Sequence, residues 1–541
     1  MGVTLPSIPD LRVTIRRFQS QMTAWISDKE SGVTPVLCFV AAHVVLWTLI
    51  LMQLKAAQDV HFDVAEAYAW GQKFLLGYGK HPPLSGWIAG LWFMVFPATD
   101  WATYALAMTV LGCGLVICWL IAIRVVDHRR AFFMVVMLAL YPIFNFKGFK
   151  YNADLAQLIT LPLVVLAYLD AFDKRTVRSG VWLGLAAAAA LMTKYWALTM
   201  IGAVGLAALI HPARLLFLRS PAPWVAIATL MLAMVPHVIW LKQVNFLPFT
   251  YAASSYSISS RAQVLGLALG YIGHNLALLA VPVALAAAAL AWGPLWWALL
   301  ARRPLAFVAQ PWRRVNRGVF EAPAINVWIV QIVAAIGPPL GALIFEIYIK
   351  TDWGIPLFFL TPLAFIAIPT LRVHRGALLR ITAIWLILTT ATLIAAPLFV
   401  AKNFSEQADV FSSYSNRSDL ARELTKLWHQ RFHSRWMVVA GGTDVAEPMT
   451  FYSPDHPKPL TPDELWSSGL TSVEEAKRLG FIGICDTTGW QLKSCERWML
   501  ENASGAERLT ITTQRSFHKK TGAVVRWEIY VVPPTTINTQ S

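Results

Sequence analysis

Long apolar stretches separated by short polar ones run through the first 400 residues. A helix needs about 20 mostly apolar residues to cross the hydrocarbon of a bilayer. Eleven stretches qualify or come close: 34–54, 101–123, 131–146, 154–171, 180–193, 196–211, 222–241, 263–293, 323–347, 355–370 and 378–400. The pair 180–193 and 196–211 is short and reads as a broken helix, and 84–96 reads as interfacial. From about Lys402 the pattern changes. Alternation at Arg435–Ala440, Phe481–Cys485 and Val524–Val532 predicts strands, and helical periodicity near 417–430, 472–479 and 490–500 intervenes. The expectation is a polytopic α-helical membrane protein with a small C-terminal α/β domain.

Composition agrees with the pattern. Of 541 residues 57% are apolar and 14% are charged, with a mean hydropathy of +0.53. Soluble domains carry about 25% charged residues, so lipid is the main solvent here. No cleavable signal peptide is evident; the first apolar run is long enough to stay as an anchor.

The net charge of +15 adds orientation. Basic clusters fall in every second loop: Arg12/Arg16/Arg17, Arg124/Arg129/Arg130, Lys174/Arg175/Arg178, Arg214/Arg219, Arg302/Arg303/Arg313/Arg314/Arg317 and Arg372/Arg375/Arg380. Lys and Arg collect on the cytoplasmic side. The N-terminus, residues 1–33, is therefore expected inside, and residues 401–541 outside after an odd number of crossings. This pattern accounts for the charge without nucleic acid. Cys485 and Cys495 are close enough in sequence to pair if the tail meets an oxidising compartment. Gly441-Gly442 reads as a turn.

Chemistry concentrates in the first outer loop, residues 55–83. Asp63 and Glu66 share a helix face there. Two carboxylates this close repel, so one is expected to hold a raised pKa and act as a base. The competing reading is a solvated amphipathic helix on the membrane surface. Outer-side Lys80, Lys150, Lys194, Arg261 and Lys350 run against the positive-inside trend, and each recurs beside polar or aromatic residues. They are candidate phosphate ligands, with snorkelling to headgroups as the alternative for any one of them. Asp154 opens a span after Asn152 and needs a partner, Lys150 or Lys194; otherwise it is a cap or first-turn acid. His237 and His274 read as satisfied buried histidines, and Trp87, Trp101, Trp196, Trp240 and Trp353 as an aromatic belt. His61 and His81 flank the acidic loop and leave a divalent cation open, though no tight ligand spacing supports a metal site.

The run Glu66-Ala67-Tyr68-Ala69-Trp70, Gly77-Tyr78, Lys80-His81-Pro82-Pro83-Leu84 and Trp87 resembles the first-loop signature of bacterial GT-C membrane glycosyltransferases related to protein O-mannosyltransferases, of glycosyltransferase family 39 type. Relatives include the lipid A aminoarabinose and galacturonosyl transferases. Lys150-Tyr151-Asn152-Ala153-Asp154, Thr193-Lys194-Tyr195, Pro248-Phe249-Thr250-Tyr251 with Arg261, Trp353-Gly354-Ile355-Pro356-Leu357 and Phe451-Tyr452-Ser453-Pro454-Asp455 extend the resemblance over nearly the whole chain. One position departs: many relatives carry their catalytic Asp where this chain has Ala65, so Asp63 or Glu66 must take the role.

The resemblance implies a GT-C fold of about eleven helices in an inner membrane. It implies transfer of a sugar from a polyprenyl phosphate to a periplasmic-side acceptor with inversion, the acceptor being lipid A, core oligosaccharide or protein. It implies Asp63, Glu66 and Asp154 as catalytic acids, with Tyr68, Lys80, His81, Lys150, Asn152, Lys194, Tyr195, Arg261 and Lys350 around donor phosphate or sugar. A transporter of a lipid-linked substrate and a non-enzymatic receptor are the other classes. Against the first stand the absence of a convincing internal repeat and the clustering of acids in a surface loop rather than at mid-membrane. Against the second stand the ordered Glu-Ala-Tyr and Lys-His-Pro-Pro elements.

Overall fold

The computed structural model describes residues 11–300, 321–406, 416–461, 469–487, 489 and 492–535. The basic cluster from Arg302 to Arg317 lies outside the described residues. Helices α1 (Leu11–Ser27) and α2 (Thr34–Leu54) lead to the first-loop helix α3 (Phe62–Gly71) and to α4 (Leu84–Phe93). Then come α5 (Asp100–Ala122), α6 (His128–Ala139), α7 (Ala153–Lys174), α8 (Val177–Thr193) and α9 (Leu198–Ile210). The bundle continues with α10 (Arg214–Leu218), α11 (Pro221–Gln243), α12 (Leu247–Ser255), α13 (Arg261–Leu300), α14 (Ala322–Phe345), α15 (Thr361–Ile366) and α16 (Arg375–Glu406).

Seven of these, α2, α5, α7, α11, α13, α14 and α16, are long and apolar enough to cross a membrane. Their outward faces remain apolar, with Leu232, Phe345 and Leu398 each 74% exposed. Water would not tolerate so much bare aliphatic surface, whereas lipid tails cover it at no cost. The chain is a multi-pass membrane protein.

Of the other four expected spans, two are broken within their apolar runs and two are helices too short to cross alone, Val177–Thr193 and Tyr195–Ile210. The stretch 131–146 is helical only to Ala139, because Pro142 and Gly148 turn the chain into two short 3-10 segments. The stretch 355–370 likewise breaks into a 3-10 turn, Thr351–Leu357, and the six-residue α15 around Pro356 and Pro362. Irregular backbone at this depth survives only when buried in protein with its polar groups answered. His43 answers one of them, its Nε2 lying 2.7 Å from the Phe144 carbonyl oxygen. The expected break between α8 and α9 is present: Lys194 is extended, and a 3-10 turn at Tyr195–Ala197 restarts the helix.

The tail folds as a five-stranded sheet in the order β2-β1-β3-β5-β4. Its strands are β1 (Val438–Ala440), β2 (Lys458–Leu460), β3 (Phe481–Asp486), β4 (Glu507–Phe517) and β5 (Lys520–Val532). β1 pairs parallel with β2 and β3, and the β3–β5 and β4–β5 pairs are antiparallel. α17 (Arg417–Phe432) and α18 (Thr443–Tyr452) cover one face, while α19 (Val473–Leu479) and α20 (Leu492–Asn502) cover the other. Alternation sorts the side chains: Ile482 and Ile484 join Trp428 and Trp527 in one layer, and Phe481 and Cys485 join Met499 and Tyr530 in the other. Cys485 and Cys495 are disulfide-bonded, tying β3 to α20.

The tail is latched onto the first loop. Asp59, buried at the end of α2's exit, accepts hydrogen bonds from the Arg417 and Ser418 backbone N–H groups at 2.7 and 3.3 Å, and from Arg515 at 2.5 Å. Tyr452 accepts from the Val60 N–H at 2.7 Å and donates to Asp100 at 2.9 Å. α3 in turn crosses α4 so closely that a Cβ on Gly71 would lie 2.6 Å from the Gly90 nitrogen. Asp59→Ala, by leaving buried guanidinium and amide donors without their carboxylate, is expected to cost about 3–5 kcal/mol, read as a lower melting temperature and faster proteolysis of the tail. Gly71→Val is expected to prevent α3–α4 contact and lower the melting temperature, because both clashing partners are backbone.

Candidate active site

The first loop is a frame for three charged groups. His61 caps α3, its ring accepting from the Asp63 N–H at 3.2 Å, so Asp63 falls in the helix's first turn. Tyr78 closes the other end: its hydroxyl bonds the Trp70 and Lys73 carbonyls at 2.8 and 2.9 Å, and its ring stacks on Trp70. A tight turn, with the Tyr78 N–H donating to the His81 carbonyl at 2.9 Å, presents Lys80 back toward the helix. Lys80 there pairs with Glu66. Tyr151 fixes the neighbouring segment by donating to the Ser85 carbonyl at 2.8 Å.

Asn152 does two jobs. Its side-chain oxygen caps α7 by accepting from the Leu155 N–H at 3.1 Å, and its amide donates to Asp63 at 2.9 Å. Lys150 stands 3.4 Å from the same Asp63 oxygen. Asp154, in the first turn of α7, pairs with Lys194 at 2.6 Å. Of the two partners expected for Asp154, the structure selects Lys194, delivered by the α8–α9 break. Three lysines and three carboxylates thus meet as three neighbouring pairs, with His81 beside them close enough to feel Lys194 and Lys80.

The expected raised carboxyl pKa is overturned at Asp63. Burial alone would raise it, but His61, Lys150, the Asn152 amide and Lys80 together pull it down to about 2. The repulsion expected between Asp63 and Glu66 is absorbed because each has its own lysine. His61 is itself taken down to about 4 by burial, with Lys150, Lys55 and Lys350 adding to the effect and Asp63 opposing it. His81 lies well below the ordinary histidine range, chiefly by burial and then by Lys194 and Lys80. Both imidazoles are neutral at physiological pH. For Lys80, burial would lower the pKa, but Glu66 and Glu447 more than reverse it, so its charge is permanent.

Lys350 precedes the Thr351–Leu357 turn, and its charge reaches His61. Arg261 stays apart, paired with Glu346 at 2.5 Å on an exposed rim. Tyr195 gives its hydroxyl to His237 at 2.9 Å and stacks on Phe249. Tyr68 is turned toward the tail, edge-on to Phe93 and Phe451. The structure therefore does not bring Arg261, Tyr195 or Tyr68 into the charged cluster. His274 faces Asp352 at 3.4 Å. Among the described residues no three His, Cys, Asp or Glu side chains are grouped to hold a metal ion.

Several residues escaped sequence reading. Lys55, at the end of α2, lies over the Phe149 ring at 3.8 Å, and burial lowers it to about 8. Glu447, from α18 of the tail, is fully buried and close enough to act on Lys80. Tyr256 and Tyr348 pack against Trp353, whose ring also faces Lys194 at 5.4 Å. Only Lys55 left a trace in sequence, as a cation directly after a span; the others come from distant segments.

Residues 80–240 match the family described as dolichyl-phosphate-mannose-protein mannosyltransferase. That stretch opens at Lys80 and includes Lys150, Asn152, Asp154 and Lys194. Over that stretch the chain resembles this family. It is 23% identical over 230 residues to the lipid A galacturonosyltransferase RgtD of Rhizobium johnstonii. That match covers 39% of the chain and 44% of RgtD, so less than half of the relative's length is spanned. The crystal structure of ArnT from Cupriavidus metallidurans bound to undecaprenyl phosphate superposes with a TM-score of 0.58 at 13% identity. The superposition covers 92% of this chain and 98% of that one, which makes the GT-C fold common to both.

Stability of this site should follow the neutral histidines. The unfolded chain binds a proton at His61 below about pH 6.5, while the folded chain resists until about pH 4. Stability is then whole above pH 6.5 and falls through that window, by on the order of 2–3 kcal/mol for this group. Melting curves from pH 8 to pH 4 should show the fall, and His61→Gln should reduce it, with His81 supplying the remainder. Asp63 adds nothing to the loss until pH drops below its unfolded value of 3.8 toward 2.

Proposed function

We propose that the protein transfers a sugar from a polyprenyl phosphate carrier to a lipid acceptor on the periplasmic side of the inner membrane, lipid A or lipopolysaccharide core first among acceptors. The observation that carries this reading is the meeting of Lys80, Lys150 and Lys194 with Asp63, Glu66 and Asp154 beside the apolar bundle. A lipid phosphate can slide its tail along the bundle and place its charge among the lysines. RgtD, a lipid A galacturonosyltransferase, and ArnT, whose structure holds undecaprenyl phosphate, support the substrate class.

In this reading the N-terminus is cytoplasmic, residues 34–400 form the catalytic unit, and 401–541 fold in the periplasm over the first loop. The bond from the sugar's anomeric carbon to the phosphate oxygen breaks, and a bond to the acceptor oxygen forms on the opposite face, inverting the centre. The leaving polyprenyl phosphate keeps the electron pair and is held by Lys80, Lys150 and Lys194. A hydroxyl acceptor gives its proton to a carboxylate. Asp63 at about 2 is a poor base while Lys150 holds it. Donor phosphate competes for Lys150 and Lys80, which frees Asp63 and Glu66 for the acceptor only once donor is bound. Tyr256 and Trp353 offer ring faces for the sugar.

The test is sugar transfer by purified protein in nanodiscs, from a panel of polyprenyl phosphate sugars to lipid A. Asp63→Asn or Glu66→Gln, whichever removes the base, is expected to lower kcat about 10²–10⁴-fold, with donor binding kept. Lys150→Ala is expected to weaken donor binding. Wild-type inactivity across the panel, with movement of a labelled lipid across liposomes instead, would replace the enzyme with a transporter.

A further inference from the structure

The opposite end of the bundle carries a second cationic cavity. Arg124, Leu169, Phe172, Asp173, Arg175 and Leu216 line a recess of about 340 Å³, closed by Ala322, Pro323 and Asn326 of α14. Four apolar helices terminate around it: α5 just before Arg124, α7 at Lys174, α9 just before Ala213, and α14 where it begins. Asp154 lies near the start of α7 and Lys174 at its end, 20 residues apart in the chain. At 1.5 Å per residue that is about 30 Å, the thickness of a bilayer's hydrocarbon. The recess therefore sits at the headgroup level of the leaflet facing away from the lysine cluster.

Its chemistry suits an anion on a lipid. Arg124 and Lys174 share Asp170, at 3.0 and 2.8 Å, so that carboxylate is answered twice. Arg175, in the left-handed conformation that ends α7, donates Nε to the Asp173 carbonyl at 3.1 Å and is exposed at the recess. Three cations thus face two carboxylates, Asp170 and Asp173, and the flanking Arg214 and Glu321 add one charge of each sign, leaving an excess of one positive charge. The C-terminal ends of α5, α7 and α9 oppose an anion here. The N-terminus of α14 favours one through its dipole and its uncapped N–H groups, since Glu321 makes no capping bond, although Pro323 contributes no N–H. Phe172, Leu169 and the exposed Leu216 supply an apolar wall for acyl chains.

We infer that this recess between α5, α7, α9 and α14 binds the phosphodiester headgroup of an anionic phospholipid of that leaflet, held by Arg124, Arg175 and the α14 N-terminus. This site is separate from the proposed transfer reaction and does not depend on it. A basic pocket between membrane helices is the expected form of such a site.

Native mass spectrometry of the full chain in detergent tests it, with phosphatidylglycerol and phosphatidylcholine of matched acyl chains. Phosphatidylglycerol is expected to be retained in preference. R124Q/R175Q is expected to weaken that retention about thirtyfold, with R130Q, a cation paired with Asp127 outside the recess, behaving as wild type. R175Q alone, whose Nε touches only its own loop, is expected to weaken it about fivefold and serves if the double variant does not fold. Equal retention of both lipids, or R175Q and the double variant binding like wild type, overturns the assignment. Displacement of phosphatidylglycerol by millimolar inorganic phosphate alone would make it a free-anion site and overturn the lipid.

Discussion

A charge at the edge of a bilayer must be paired, and the candidate site is built around that constraint. Removing an ammonium or a carboxylate from water costs several kcal/mol unless an opposite charge and hydrogen bonds replace the solvent. Lys80 with Glu66, Lys150 with Asp63, and Lys194 with Asp154 meet the requirement three times over within one surface. Each pair joins different segments: one closes the first loop on itself, one ties that loop to the start of α7, and one ties α7 to the α8–α9 break. The pairs hold the fold of the site before any substrate arrives. A phosphate entering among them exchanges partners rather than creating charge, which keeps its desolvation affordable in a region of low dielectric.

The tail belongs to the same electrostatic arrangement. Asp59 draws in Arg417, Ser418 and Arg515, while Tyr452 spans Val60 and Asp100. Through that latch α18 lies on α3, and Glu447 comes to bear on Lys80. The tail thus contributes a charge to the site as well as a cover over it. The two histidines of the first loop are kept neutral by burial, so they add hydrogen-bonding geometry without adding to the positive charge of the lysines.

Much of this was legible in the residues themselves. The lysine-acid elements of the first loop, Lys150-Tyr151-Asn152-Ala153-Asp154 and Thr193-Lys194-Tyr195 were readable because a charge next to an apolar run is conspicuous. Tyr68, Tyr195 and Arg261 were equally conspicuous by position, yet their side chains turn to the tail, to His237 and to Glu346. Direction of a side chain depends on what packs beside it, and that neighbour is hundreds of positions away for Tyr68 and Phe451.

The sequence by itself determined the solvent, the long spans, the break at Lys194 and the mixed helix-and-strand tail. These follow from local hydropathy and period, which a contiguous run of residues carries within itself. Only the tertiary structure decided which lysine meets which acid, that Asp63 is held ionised rather than raised, and that the apolar runs at 131–146 and 355–370 are interrupted by short turns. Pairing and desolvation are sums over neighbours brought together by the fold, and no window of sequence contains those neighbours.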